Sequence, residues 1–262
     1  MGLNEIILRN MKKKFLIQSI ALAMGFLCIT SFSHAQAYLD VESGAVFTGY
    51  NNVRIPGNTG TLFSLKTDLN AKPNAFIRIR AGYTIKSRHA ISLLYAPLTV
   101  KSDGSTNKQI NFEGATFQAN TALNASYTFN SYRITYRYDI VKRSKFEFGL
   151  GFTAKIRDAE IALNSPGLAA SKKNVGFVPI INFRLNWKIN DKIGVLFEGD
   201  ALAAPQGRAE DVQLAGTYTF SDQFMLRLGY RILEGGASND EVYNFALIHY
   251  ASLGVTYTFK NK

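Results

Sequence analysis

The chain has 262 residues, 47% hydrophobic and 19% charged, with a formal net charge of +11 and a mean hydropathy of −0.03. Apolar and aromatic residues, among them 19 Phe and 13 Tyr, are too plentiful for a disordered chain, and 21 Gly with 6 Pro are too few for a collagen-like or low-complexity one. One cysteine excludes an internal disulfide and a thiolate metal cluster.

The first segment reads as an export signal. From Met11 the chain runs Lys12-Lys13-Lys14, an uncharged stretch Phe15 to Thr30, then Ser31-Phe32-Ser33-His34-Ala35-Gln36-Ala37. A basic start, an apolar run and a small-residue site are the three parts of a secretory signal peptide. Residues 1–37 are therefore assigned to a leader starting at Met11 and cleaved after Ala35 or Ala37, and residues 38–262 to one domain. The apolar run is shorter than the ~20 residues of a membrane-spanning helix. Leu27 before Cys28 argues against a lipoprotein. Without Arg9, Lys12, Lys13, Lys14 and Glu5, the 30 basic and 19 acidic side chains fall to 26 and 18, a net +8 with no cysteine.

Beyond the leader, apolar residues recur at every second position, the period of a strand with two different faces. Ile77, Ile79, Ala81, Tyr83 and Ile85 stand opposite Phe76, Arg78, Arg80, Gly82 and Thr84. In 145–158, Phe146, Phe148, Leu150, Phe152, Ala154 and Ile156 oppose Glu147, Gly149, Gly151, Thr153, Lys155 and Arg157. The stretches 175–187 and 224–234 divide in the same way, with Val178 and Ile180 blurring the first. Ten strands follow: 38–50, 74–85, 89–101, 122–141, 145–163, 174–189, 192–203, 209–220, 223–234 and 243–259. Several exceed the usual length of globular strands. Short turns at 86–88, 142–144, 190–191 and 221–222 alternate with longer connections at 51–73, 102–121, 164–174, 204–208 and 235–241. The fold class expected is all-β, an antiparallel up-and-down transmembrane barrel with short periplasmic turns and long extracellular loops.

The leader, the alternating strands and the final run Leu253-Gly254-Val255-Thr256-Tyr257-Thr258-Phe259 resemble those of Gram-negative outer-membrane β-barrel proteins, small barrels of the general OmpA and OmpX character. The resemblance implies location in the cell outer membrane. It also implies partners: outer-membrane lipid and lipopolysaccharide, and the barrel-assembly machinery acting through the C-terminal strand. Lys260-Asn261-Lys262 after Phe259 depart from the usual aromatic terminus. A monomer is expected.

Inside such a barrel, parity gives an inward set of Asp40, Glu42, Arg78, Arg80, Arg133, Arg137, Asp139, Glu147, Lys155, Arg157, Arg184, Glu198, Asp200, Asp211, Arg227 and Arg231. Buried charges are costly unless paired, so a lumen network of arginine–carboxylate bridges is predicted, centred on Arg78, Arg80, Arg137, Glu147, Arg184, Glu198, Asp200, Asp211, Arg227 and Arg231. Tyr83, Trp187, Tyr257 and Phe259 are predicted to form the aromatic girdle at the membrane surface. About ten strands leave room for side chains or a narrow path, and no wide pore.

Signals for chemistry are weak. His89 follows a short turn, and His249 points to the lipid side without an Asp-x-His or His-x-Ser partner, so neither an omptin-like protease nor a lipid deacylase is supported. Glu198, Asp200, Glu210, Asp211, Glu234, Asp240 and Glu241 could gather around the loop 204–208 and hold a divalent cation, although pairing with Arg208 and Arg231 is the preferred reading. Basic residues alternate with apolar ones and form no nucleic-acid patch. No cofactor and no metal are expected. The function expected is non-enzymatic: surface structure, adhesion or envelope integrity, with a narrow porin-like solute channel as the alternative and a hydrolase third. In the loops, 109–117 can form an extra hairpin, and Tyr127, Phe129 and Tyr132 are placed near an exposed sheet edge.

Overall fold

The computed structural model describes residues 36–260 apart from Gln206. The leader assigned above therefore lies outside the described residues, except for its last two positions. The described strands are β1 (Gln36–Arg54), β2 (Phe63–Ser64), β3 (Asn70–Ala71), β4 (Asn74–Ile85), β5 (His89–Ala96), β6 (Thr99–Gly104), β7 (Ile110–Phe112), β8 (Ala115–Phe117), β9 (Leu123–Lys142), β10 (Phe146–Ser165), β11 (Leu168–Lys188), β12 (Ile193–Ala204), β13 (Gly207–Thr219), β14 (Phe224–Ser238) and β15 (Tyr243–Thr258). No helix occurs among the described residues.

The long strands form a closed antiparallel barrel. β1 pairs with β15 from Tyr38↔Thr258 to Arg54↔Tyr243 and with β4 on its other side, while β9 and β10 close the ring. The wall has ten positions, because β5 and β6 share one along β9. Closure satisfies the backbone polar groups that hydrocarbon would leave unpaired. At the last strand, the Phe259 N–H donates to the Ala37 carbonyl at 2.9 Å.

Five segments differ from the sequence reading. Two of them, the longer connections expected at 204–208 and 235–241, are short turns, because the ladders run on to Ala204↔Gly207 and Ser238↔Tyr243. The strand expected at 89–101 is two strands, because Pro97 lacks an N–H for the ladder and the chain steps out between Ala96 and Thr99. The loop expected at 164–174 is a tight hairpin: Pro166 and Gly167, the latter at φ +80°, supply the type II turn pair, and β11 starts at Leu168. The segment 51–73 is no free loop but extends β1 to Arg54 and adds β2 and β3. The extra hairpin of 109–117 is present as β7–β8.

Three layers stack along the interior. Charged residues fill the middle and the short-turn end. Above them Val46, Phe76, Leu98, Val100, Leu233, Ile248 and Tyr250 form an apolar layer. At the long-loop end Val53, Ile55, Phe63, Leu65, Ile110, Phe112, Phe117 and Leu163 pack into a cap, so the long loops fold over the barrel. The outer surface is the reverse of a soluble protein: Ile79, Leu93, Ile134, Leu150, Phe152, Leu214, Leu228 and Leu253 are all exposed. Such a continuous apolar belt requires a nonaqueous environment.

Candidate functional site

Strand parity turns one side chain in two toward the lumen, and the arginines there meet carboxylates from distant strands. Arg231 on β14, 2% exposed in its side chain, is the hub. Its Nε and Nη2 donate to Glu42 at 3.0 and 2.9 Å, Nη1 to Asp211 Oδ1 at 2.6 Å and Nη2 to Gln213 at 2.9 Å. Arg133 on β9 donates to Asp200 and Asp211, both at 2.6 Å, and Arg78 on β4 reaches Asp211 Oδ2 at 2.9 Å. Arg80 donates to Glu198 at 2.9 Å, with Arg184 3.8 Å from the same carboxylate. Arg227 grips Asp40 through both Nη atoms and Glu42 at 3.2 Å. Thr153 and Asn182 complete the shell of Asp200 at 2.6 and 2.9 Å.

Glycines on the same faces make room for this layer. A Cβ on Gly254 would lie 2.7 Å from the Arg227 guanidinium carbon, so glycine leaves the space in which the planar fork lies against the wall. Bidentate arginine–carboxylate geometry is the strongest ion-pair arrangement available to side chains. Here it ties strands on opposite sides of the lumen.

Of the network predicted from sequence, the structure brings together Arg78, Arg80, Arg184, Glu198, Asp200, Asp211, Arg227 and Arg231, with Asp40, Glu42 and Arg133 from the wider inward set. Arg137 and Glu147 sit apart, nearer the short-turn mouth. Arg137 pairs with Asp139 at 3.0 Å, while Glu147 lies 4.0 Å from Lys142 and accepts from Asn186 at 3.4 Å. Gln213 and Thr153, fully buried neutral members of the layer, escaped a search for charges alone. Their inward parity was the available signal.

A cavity of about 280 Å³ lies on the short-turn side, against Tyr38, Arg80, Arg137 and Arg184. One of about 410 Å³ lies on the other side, against Tyr127, Phe129, Lys155 and Leu233. They share no lining residue, and the layer of Arg231, Asp211, Arg133 and Glu42 stands between them.

Other sequence readings are corrected. The cation-holding cluster considered around 204–208 does not form, and the structure has the preferred pairing with Arg208 and Arg231. Asp211 and Glu198 face Arg231 in the lumen layer, which Asp200 also joins, whereas Glu234 is bonded to Arg208 at 2.7 and 2.8 Å and to the Tyr50 hydroxyl. Alternation sends neighbouring acids to opposite faces. Among the described residues no group of three metal-ligating side chains forms. Tyr127, Phe129 and Tyr132 do not share a surface. Tyr127 and Phe129 stack inside, while Tyr132 stacks on Tyr95 outside, and β9 is paired on both sides there. His249 stacks outward on Tyr230 and His89 bonds the Tyr136 hydroxyl at 2.9 Å. Tyr83, Trp187, Tyr257 and Phe259 all lie at the short-turn end, joined by the exposed Tyr218, Phe220 and Phe224.

The Escherichia coli outer membrane protease OmpT has a similar structure, with a TM-score of 0.57 at 10% identity, covering 87% of this chain and 98% of that one. This chain has the outer-membrane β-barrel fold. Further similar structures are the translocator domain of the autotransporter NalP from Neisseria meningitidis (TM-score 0.44, 12% identity, 96% of this chain and 98% of that one) and Neisserial surface protein A (TM-score 0.35, 15% identity, 87% and 100%). No known family and no curated protein matches the sequence. At these identities the outer-membrane β-barrel likeness concerns the fold alone.

Proposed function

We propose that the protein is a monomeric integral protein of the Gram-negative outer membrane, with a sealed lumen and a non-enzymatic role in surface structure, adhesion or envelope integrity. The observation that carries this reading is the arginine–carboxylate layer. Residues from β1, β4, β9, β12, β13 and β14 meet across the lumen, and the cavities on its two sides are separate. The exposed apolar belt supports lipid as its surroundings, with lipopolysaccharide at the long-loop end. The short-turn end, where the aromatic girdle and the terminal strand lie, is the periplasmic side read by the assembly machinery. His249, turned to the outside and stacked on Tyr230, supports no hydrolytic centre.

Single-channel recording on the full chain in planar bilayers tests the sealed lumen. The expected result is insertion without conductance steps. Steady, anion-selective steps would overturn it in favour of the narrow channel, and cleavage of peptide or lipid A that is lost in His249→Ala would overturn the non-enzymatic role.

A further inference from the structure

Above the sealed layer, the cavity of about 410 Å³ falls within the ~300–1,000 Å³ typical of small-molecule sites. Its lining is mostly apolar and aromatic, and Lys155 projects into it from β10. Lys155 is 2% exposed, and its ammonium lies 4.7 Å from the centre of the Phe129 ring. Among the described residues no carboxylate pairs with it, although every arginine of the layer beneath has one. Two residues along the same face, Arg157 bonds Asn174 through Nη2, but its buried Nε has no partner. A charge so placed costs several kcal/mol unless something compensates it. Lys155 therefore faces a largely apolar cavity with its donors unused, Arg157 adds a second cation to the lining, and the other charged lining residues, Arg208 and Glu234, are bonded to each other.

The same cavity reaches a break in the barrel wall. The ladder between β11 and β12 ends at Ile181↔Ala201, and from Pro179 upward β11 pairs only with β10. Proline, with no N–H to give, is confined to strand edges. Phe177, Val178 and Pro179 on one lip and Leu202, Ala204 and Gly207 on the other all line the cavity. Only eight residues of β12 are paired to β11. At a rise of about 3.3 Å per residue and a tilt of about 40° they climb roughly 20 Å, less than the ~25 Å apolar band of such barrels. The outward neighbours of the break, Val175, Phe177 and Ile181, are among the most exposed apolar residues of the chain. The break opens toward hydrocarbon.

We propose that this cavity holds a single-chain amphiphile with an anionic head, the head on Lys155 and Arg157 and the chain leading past Phe177 and Leu202 through the wall into the outer leaflet. The charge of the two cations selects the head, and the apolar lips select the chain. The site rests on the membrane reading above for its lateral route, but not on the sealed lumen.

Dodecanoate carrying a diazirine near the end of its chain tests the site, with the matching diazirine dodecanol as neutral control. The full chain is labelled in micelles of a neutral detergent and the cross-links are mapped by mass spectrometry. The acid is expected to label the lips around Phe177 and Leu202 at least tenfold more than the alcohol. Lys155→Met should abolish that preference, and Lys155→Arg should keep it. Equal labelling by acid and alcohol in the wild-type chain, which needs no variant, overturns the anionic-head assignment. So does unchanged preference in folded Lys155→Met. In proteoliposomes the acid is loaded either into the bilayer beforehand or from water on a carrier. Ala204→Trp, which narrows the break, should slow loading from the bilayer several-fold and leave loading from water unchanged. The opposite pattern, or no change in either, overturns the lateral route. Insertion is scored separately by protease protection, so that a failure of the membrane reading is not taken for a failure of the site.

Discussion

Arg133 on β9 donates across the lumen to Asp211 on β13, Nη2 to Oδ2 at 2.6 Å. The same carboxylate accepts from Arg78 and, through its other oxygen, from Arg231. One acid thus holds guanidinium groups from three strands, none of them its hydrogen-bonded partner except β14. A ring of strands resists shear through its backbone ladders alone. Ties across the diameter add resistance to flattening, and they fill the middle of the lumen.

Neutralising Asp211 should therefore be severe. Asp211→Asn keeps the shape but leaves Arg78, Arg133 and Arg231 facing one another. Loss of one partner of a buried pair costs about 3–5 kcal/mol. The urea midpoint for unfolding in micelles should fall accordingly, and Asp211→Asn with Arg133→Met should recover part of the loss. A midpoint unchanged in Asp211→Asn would mean that the layer contributes little to stability.

The two faces of β10 should respond differently to substitution. Leu150 is outward and 41% exposed, so Leu150→Arg places a charge against hydrocarbon at a cost of about 2–4 kcal/mol near the midplane. Thr153 is fully buried, bonded to Thr135 and Asp200 at 2.8 and 2.6 Å. Thr153→Val should cost only about 1–3 kcal/mol, since Asp200 keeps Asn182 and Arg133. Insertion yield into vesicles should drop strongly in Leu150→Arg and little in Thr153→Val. Equal yields would mean the facing is wrong.

Much of this architecture is legible in the alternation itself. Membrane strands need one apolar face throughout, so Ala75–Ile85 and Phe224–Glu234 declare strand and facing together. β4 spans the predicted 74–85, while β14 runs past the predicted 234 to Ser238 through Gly235-Gly236-Ala237, where the apolar alternation stops. Inward parity likewise named the members of the charge layer. Their partners were not legible, because Arg133 and Asp211 are 78 residues apart in sequence and nothing local records which strands lie opposite. The hairpin at 165–168 was hidden by polar composition that resembles a loop, although Pro166-Gly167 is a turn pair in its own right. The break beside Pro179 had a signal too: a proline inside an otherwise regular strand marks an edge.

The cap should be a separable unit of stability. Phe112 is fully buried and meets Phe63 edge to face, with ring centres 6.1 Å apart. Phe112→Ala should cost about 3–5 kcal/mol where the site does not collapse. That loss should appear as faster hydrogen exchange in 51–73 and 105–121, while the exchange of β13, β14 and β15 stays at the wild-type level. Uniform acceleration through the barrel strands would show that cap and wall unfold together.

Proteolysis of intact cells tests which end faces outward. A protease must draw several residues of extended chain into its cleft, so lysines paired in strands resist while those in unpaired loops are cut. Of the lysines at the long-loop end, Lys101 lies in β6 and Lys172 and Lys173 in β11, with Lys172 also bound to Glu113 at 3.1 Å. Lys66, Lys72 and Lys108 lie between strands, but Lys66 is only half-exposed and the Lys72 N–H donates to the Lys101 carbonyl at 2.9 Å. Exposed Lys108 is tied by Asp68 at 3.0 Å and by its N–H to the Thr106 hydroxyl at 3.3 Å, with no backbone partner among the described residues. Trypsin added outside should therefore cut first at Lys108, and Phe112→Ala should speed that cut several-fold by loosening the cap. Lys86 and Lys145, between strands at the short-turn end, should stay intact until the outer membrane is opened. Early cleavage at Lys86 or Lys145 with Lys108 protected would invert the barrel, and the long-loop end would then face the periplasm.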